Sequence, residues 1–287
     1  MPEPTSIQVQ DFPGWFCPST DPASSNPSIL FIHGAFGHHR NFRNFMSYFA
    51  SAGFDCYALS RRGRLGLGPE RARGLNFQDY VDDTARMIQA LPGHPPIVIG
   101  HGLGGLLAQK AAEQGLCSLA VLLSSAPPGR LTAQPQTLPA FMPMMPGIAL
   151  GFPIQPTPQA MKQVAFNRLP AAEQERLVQD LVHESGIVYR QLMAGQIHID
   201  SERIQCPILC VAGKHDHIVS AGHNRLTSRV CKAELREFDR HGHWLLDEPG
   251  WQDTASEIND WVRTRVSHLQ LSTPAKIQSR ASLQPLA

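Results

Sequence analysis

The sequence lacks a charge excess of either sign, a cysteine framework, and any apolar run long enough to span a bilayer. Lys and Arg number 25 and Asp and Glu 24 among 287 residues. Basic residues gather only at Arg61, Arg62 and Arg64, so electrostatic capture of nucleic acid or anionic lipid has no footprint and neither is expected as a partner. The six cysteines (Cys17, Cys56, Cys117, Cys206, Cys210, Cys231) are scattered through the chain. A chain this long can stabilise itself by core burial, so they read as buried free thiols, and Cys206 and Cys210, on one apolar run, read as core fillers. Met1 to Gln10 is polar and has neither the positive nor the apolar region of a signal peptide. With no membrane-length run elsewhere, a cytoplasmic location is expected. No internal repeat is visible.

What the chain does contain is apolar material for one large core, with hydrophobic residues at 42%; one main domain with an insertion is expected. Apolar runs bounded by Gly and Pro recur at Ser28 to His33, Phe54 to Ser60, Pro96 to Gly100, Leu119 to Ser124, Pro207 to Val211 and Glu234 to Phe238. They are continuous rather than alternating, and segments of helical period separate them. That pattern predicts a doubly wound α/β fold, a mostly parallel sheet covered by helices on both faces. A helix is predicted from an Asn76 N-cap, with Asp79 in its first turn and Phe77, Tyr80, Val81, Thr84, Ile88 and Leu91 on one face, ending at Pro92-Gly93. Others are predicted at Leu103 to Gln114 and Gly250 to Val266.

From residue 131 to about 204 the strand pattern breaks. A Pro- and Met-rich stretch is followed by a helix-period segment with Leu177, Val178, Leu181 and Val182 inward. This predicts a cap or lid insertion over residues 131–204, a core formed by 1–130 and 205–267, and a disordered polar tail over 268–287. Met142, Met144 and Met145, with Phe141 and Phe152, suit the lining of an adaptable pocket, and they suit equally a loop packed on the core.

Chemistry concentrates at Ile97-Val98-Ile99-Gly100-His101-Gly102-Leu103-Gly104-Gly105, a strand, a sharp turn and a helix start. This is the context of the G-x-S-x-G nucleophile elbow, with Gly102 at the serine position. Three further segments follow in matching order: His33-Gly34-Ala35-Phe36-Gly37, Gly213-Lys214-His215-Asp216 and Gly242-His243-Trp244. Order, spacing and context together make residues 28 to 265 resemble the α/β-hydrolase family. The resemblance implies Asp216 as triad acid, His243 as triad base, and the amides of Ala35 and Leu103 as oxyanion hole. It also brings His33, Phe36, His101 and Trp244 to expected substrate-binding positions, with Met142 and Met145 from the insertion; His101 reads as a core residue as well.

Gly102 departs from the pattern. It has no side-chain atom to form an acyl-enzyme, so serine-dependent chemistry is expected to be absent. A glycine also relieves the strain of positive φ at the elbow, as a stable pseudo-enzyme would. The backbone oxyanion donors and the His–Asp pair are untouched by the change, and water could fill the vacated volume. The expected activity is therefore that of an enzyme on a carbonyl-containing, largely apolar small molecule such as an ester, thioester or lactone, with no cofactor. Three alternatives stay open: a lyase or cyclase using the same dyad, a ligand-binding pseudo-hydrolase, and a serine-to-glycine replacement introduced into an ordinary serine esterase. Ser60, Ser124 and Ser125 lie near strand ends where a substitute nucleophile could sit. Gly100, Gly102 and Gly105 also spell a dinucleotide-binding G-x-G-x-x-G, but the acidic residue that motif needs about 20 positions on is missing. His215, His217, His241 and His243 suggest metal ligands without the spacing of a known metal motif, so no metal is expected.

Overall fold

The computed structural model describes residues 1–62, 68–93 and 95–272. Arg64 and the tail from 273 onward lie outside them. The chain opens with a hairpin, β1 (Thr5–Val9) and β2 (Phe12–Cys17). Next come β3 (Ile29–Ile32), α1 (Arg43–Ser51), β4 (Cys56–Leu59), α2 (Phe77–Ala90), β5 (Ile97–His101), α3 (Leu103–Glu113) and β6 (Leu119–Leu123). The path then leaves the sheet for α4 (Leu138–Phe141), α5 (Met145–Leu150), β7 (Pro153–Ile154), α6 (Pro158–Val164), α7 (Ala171–Gln179), β8 (Glu184–Ser185) and α8 (Gly186–Ala194). It returns as β9 (Ile208–Gly213), α9 (Ala221–Val230), β10 (Glu234–Phe238) and α10 (Trp251–Ser272).

Eight strands form one sheet in the order β1-β2-β4-β3-β5-β6-β9-β10, while β7 and β8 pair by themselves. The β1–β2 and β2–β4 pairs are antiparallel and the other pairs of the large sheet parallel. This is the doubly wound α/β-hydrolase architecture, and each of the six apolar runs holds one of its strands. Every residue of β3, β4, β5, β6 and β9 is buried, as continuous apolar runs between two helical layers require. Alternate residues serve opposite layers: Ile29 and Phe31 join Phe42, Phe45, Trp251 and Ile258, whereas Leu30 and Ile32 join Tyr80, Val81 and Leu106. The initial hairpin was not anticipated. Pro13 and Gly14 look like turn residues, yet the Pro13 carbonyl accepts from the Ser60 N–H at 2.8 Å, and a Cβ on Gly14 would strike Ala58 and Leu59 on β4.

The predicted Asn76 cap is present. Its side chain accepts from the Gln78 and Asp79 N–H groups at 2.8 and 3.3 Å, and Asp79 accepts from the Asn76 N–H at 2.8 Å. The last helix, α10, runs through Ser272, so it takes in the first residues of the 268–287 tail, the rest of which lies outside the described residues. Trp251, Ala255, Ile258, Val262 and Val266 bury one face of it, and such a stripe carries a helix past the point where composition turns polar.

Glycines decide how closely β5 and α3 approach their neighbours. A Cβ on Gly104 would run into the carbonyls of Ile32 and His33, and one on Gly100 into Gly104. Gly104→Ala is expected to cost about 3 kcal/mol or more, because backbone must move. Gly115→Ala, at φ +69° in open space, is expected to cost only about 1 kcal/mol. Urea midpoints of the two variants check the contrast.

His39 gives the fold a pH dependence. It is buried, its backbone N–H donates to Ser60 Oγ at 3.1 Å, and Nδ1 lies 2.9 Å from the same oxygen. The Ser60 hydroxyl therefore donates to Nδ1 of a neutral ring. Burial, with the charges of His38 and Arg40 beside it, lowers the ring's pKa to about 3. The unfolded chain takes up this proton near pH 6.5 and the folded chain refuses it, so stability is full above about pH 6.5 and falls below it by about 1.4 kcal/mol per pH unit. His39→Gln is expected to reduce the slope of urea-unfolding free energy against pH between 6 and 4 by that amount.

Candidate active site

The turn after β5 places Gly102 at φ 55°, ψ −115°, in a region where L side chains are strained. Its carbonyl accepts from the N–H groups of Gly105 at 3.0 Å and Ala126 at 2.9 Å, and its own N–H donates to the Leu123 carbonyl at 3.0 Å. The residue is thus fixed between α3 and the end of β6. A Cβ built on it would lie 3.6 Å from His243 Nε2 and 3.8 Å from Gly34 Cα, both ordinary contacts. The His243 ring therefore faces the position where an elbow side chain would stand, and that position has room for one.

His243 and Asp216 come from the loops after β10 and β9. His243 Nδ1 lies 2.9 Å from Asp216 Oδ2, while Asp216 Oδ1 accepts from the Ile218 and Val219 N–H groups at 2.7 and 2.8 Å. An ionised carboxylate so satisfied keeps the proton on Nδ1 and leaves Nε2 as the ring's acceptor. The Asp216 backbone carbonyl takes a further bond from Gln134 Nε2 at 3.0 Å. Glu248, fully buried, holds the histidine loop from beneath: it accepts from the Gly242 N–H at 2.7 Å, the Trp244 N–H at 3.1 Å and His241 Nδ1 at 3.1 Å.

His101 stands beside this pair, with ring centroids 4.8 Å from His243 and 5.1 Å from Trp244. Its Nε2 donates to the His243 carbonyl at 2.9 Å. Burial and the adjacent His243 lower its pKa to about 3, so it is a neutral strut and not a second base at ordinary pH.

The groups meet at a cavity of about 60 Å³. Gly34, Ala35, Phe36, Gly102 and Leu103 form its floor with the two histidines, and Phe141, Met144, Met161, Tyr189 and Leu192 form its roof. Among the described residues, no Lys, Arg, Asp or Glu side chain lines it. Leu103 opens α3, so its N–H has no carbonyl one turn earlier to bond.

Phe36, His101 and Trp244 are in the lining as expected from the sequence. His33, Met142 and Met145 are not. His33 turns away, with Nδ1 on the Gly34 carbonyl at 2.9 Å. Met142 is 64% exposed, and Met145 packs on the core; the short helices α4 and α5 rotate Met144, with Phe141 and Ala140, inward instead. Phe152 is also exposed, with Arg73 over its ring at 5.5 Å. The candidate serines are outside the lining as well: Ser60 is bound to His39, Ser125 accepts from Gln109 at 2.8 Å, and Ser124 is buried at φ 42°. Among the described residues, no three His, Cys, Asp or Glu side chains converge as a metal site would need, and no helix is long and apolar enough to cross a membrane.

Among curated proteins the chain is similar to the putative non-heme bromoperoxidase BpoC of Mycobacterium tuberculosis, 32% identical over 108 residues that are 37% of this chain and 40% of that protein, and to the 2-(acetamidomethylene)succinate hydrolase of Mesorhizobium japonicum. The latter is 32% identical over 90 residues, which are 31% of this chain and 32% of that protein. Both matches therefore span less than half of the relative's length. Among solved structures, the soluble variant of monoglyceride lipase from Saccharomyces cerevisiae superposes with a TM-score of 0.70 at 14% identity, covering 92% of this chain and 97% of that one. The monoacylglycerol lipase of Paleococcus ferrophilus gives 0.65 at 22% identity, covering 84% and 96%. These likenesses speak for the fold. The model of the alpha/beta hydrolase family matches residues 29–255, from β3 to the first turn of α10, and with that match over most of its length the chain belongs to the alpha/beta hydrolase family.

Proposed function

We propose that this chain is an enzyme that acts on a neutral, largely apolar, carbonyl-containing small molecule, with His243 as general base oriented by Asp216 and no serine nucleophile. The observation that carries the reading is His243 Nε2, 3.6 Å from where a Cβ of residue 102 would be, in a cavity walled by apolar side chains. A base committed at Nδ1 to a carboxylate and open at Nε2 can take a proton from water held beside Gly102. The water oxygen then bonds to the substrate carbonyl carbon, and the N–H groups of Ala35 and Leu103 receive the charge on the carbonyl oxygen. Collapse breaks the bond to the leaving group, which takes the proton from His243. The insertion over residues 131–204 acts as the lid, since Phe141, Met144, Met161, Tyr189 and Leu192 all come from it.

The lining argues for a neutral substrate. The name of the Mesorhizobium relative specifies a succinate, whose two carboxylates need cations, and the described lining here supplies none. Esters, thioesters and lactones of low polarity suit it better, because burying an unpaired charge is prohibitive. A second reading, proton abstraction without hydrolysis, is favoured by one feature: the hydrogen bonds of the His243–Asp216 pair involve nothing from residue 102.

Two measurements check the proposal. Gly102→Ser is expected to gain covalent labelling by a fluorophosphonate probe and hydrolysis of short-chain nitrophenyl esters, and the native chain is expected to show neither. It should lose about 1–3 kcal/mol of stability to the strained φ. Failure of the serine variant to label would mean that His243 is not a working base. Adding His243→Ala to Gly102→Ser is expected to slow labelling about 100- to 10,000-fold; an unchanged rate would reject the base assignment.

A further inference from the structure

Arg61 is among the largest fully buried side chains of the protein, yet the dyad does not use it. A buried guanidinium is tolerated only where its charge and donors are matched, so its partners indicate its role. Nη1 donates to the His33 carbonyl at 2.7 Å and Nη2 to the Gly34 carbonyl at 3.3 Å. The Arg61 backbone N–H donates to His33 Nε2 at 3.4 Å. That leaves the His33 proton on Nδ1, where it is donated to the same Gly34 carbonyl at 2.9 Å. The counter-charge is Glu184 on β8 of the insertion, its Oε2 3.9 Å from Arg61 Nη2. Glu184 Oε1 accepts from Tyr80 Oη at 2.5 Å and from the Ser185 N–H at 2.9 Å. The Tyr80 ring also lies under the guanidinium, 4.9 Å from it.

The Gly34 carbonyl and the Ala35 N–H are opposite ends of one planar trans peptide. Two donors holding the oxygen on the Arg61 side turn the N–H to the other side, towards the cavity that Ala35 lines. A cation bound to the carbonyl end also polarises the peptide and makes its N–H a better donor. The insertion grips the loop a second time, since the Val182 N–H donates to the Phe36 carbonyl at 3.0 Å, next to the strained Phe36 at φ 57°.

We propose that Arg61, paired with Glu184 of the insertion, is a positioning residue that aims the Ala35 N–H at the reacting carbonyl oxygen. The assignment rests on the reading of Ala35 as an oxyanion donor. It also requires arginine: the planar fork reaches two carbonyls and a carboxylate together, whereas a lysine is a single point charge. The seating of the insertion and the competence of the oxyanion hole become one linked event, transmitted through Glu184.

The test uses the Gly102→Ser chain, because a bound phosphonate oxygen occupies the place of the oxyanion. Arg61→Gln with Glu184→Gln removes both charges together and is expected to slow fluorophosphonate labelling about 10- to 100-fold. Arg61→Lys is expected to recover only part of that loss. Tyr80→Phe, which takes a bond from Glu184 and leaves both carbonyl contacts, is expected to label at the parent rate. In the 15N-labelled native background the Ala35 amide resonance should move in the paired Gln variant and stay in place in Tyr80→Phe. Labelling at the parent rate by a folded paired variant overturns the proposal, as does equal slowing by Tyr80→Phe, which would make the cluster merely structural. Should the paired variant not fold, Arg61→Lys decides, and full activity there overturns the proposal. A parent Gly102→Ser chain that never labels is a different result: it removes the dyad and oxyanion reading itself.

Discussion

The close passage of three backbone segments, the end of β3, the end of β5 and the start of α3, is the constraint on which the site depends. Gly104 lies against the Ile32 and His33 carbonyls, Gly100 against Gly104, and Gly34 against His101. With no Cβ at these points, α3 can begin hard against the sheet, which throws residue 102 out at the carboxyl edge beside the loop after β3. Each group that touches the cavity floor then follows from strand register. β5 pairs with β3 and β6, so the elbow, the 33–37 loop and Ala126 meet without long connections. The dyad arrives at the same edge because β9 and β10 run parallel to them. Precision at the site is therefore a property of rigid strand ends, not of the loops alone.

The sequence made most of this arrangement legible, and for a specific reason. Strands buried on both faces leave unbroken apolar runs, and the sharp elbow demands small residues at fixed spacing; both are one-dimensional signals. Cap chemistry is another, and Asn76 with Asp79 reads directly. The hairpin of β1 and β2 gave no such signal, because an edge pair needs neither continuous hydrophobicity nor freedom from proline and glycine. The insertion was the hardest part. Its first three helices, α4, α5 and α6, are short and carry proline in the first turn, so which methionine points inward depends on packing in three dimensions and not on period. Arg61 and Glu184 left no pattern at all, since they act through partners distant in sequence and, for Arg61, through backbone carbonyls that no motif records. Glu248 follows His243 closely enough to have been suspected, but nothing about its spacing says that it holds three donors.

The treatment of charge unifies the interior. Histidines that must stay neutral, His39 and His101, are buried with a single well-placed hydrogen-bond partner, and desolvation keeps protons off them. The carboxylates near His243, Asp216 and Glu248, accept from backbone N–H groups. The cavity is left with directional polar groups at its floor and apolar walls elsewhere. Low polarity around a fixed acceptor and fixed donors strengthens any polar interaction formed there.

The open space at Gly102 has a genetic counterpart. The glycine codons GGT and GGC each become a serine codon by a single base change, and here the added side chain would meet only ordinary contacts from His243 and Gly34. The fold thus places no steric barrier between a chain without a nucleophile and one with it. A serine at this position would stand on an otherwise unaltered scaffold, and what opposes it is the backbone strain of the positive φ, with no repacking of the core to accompany the change.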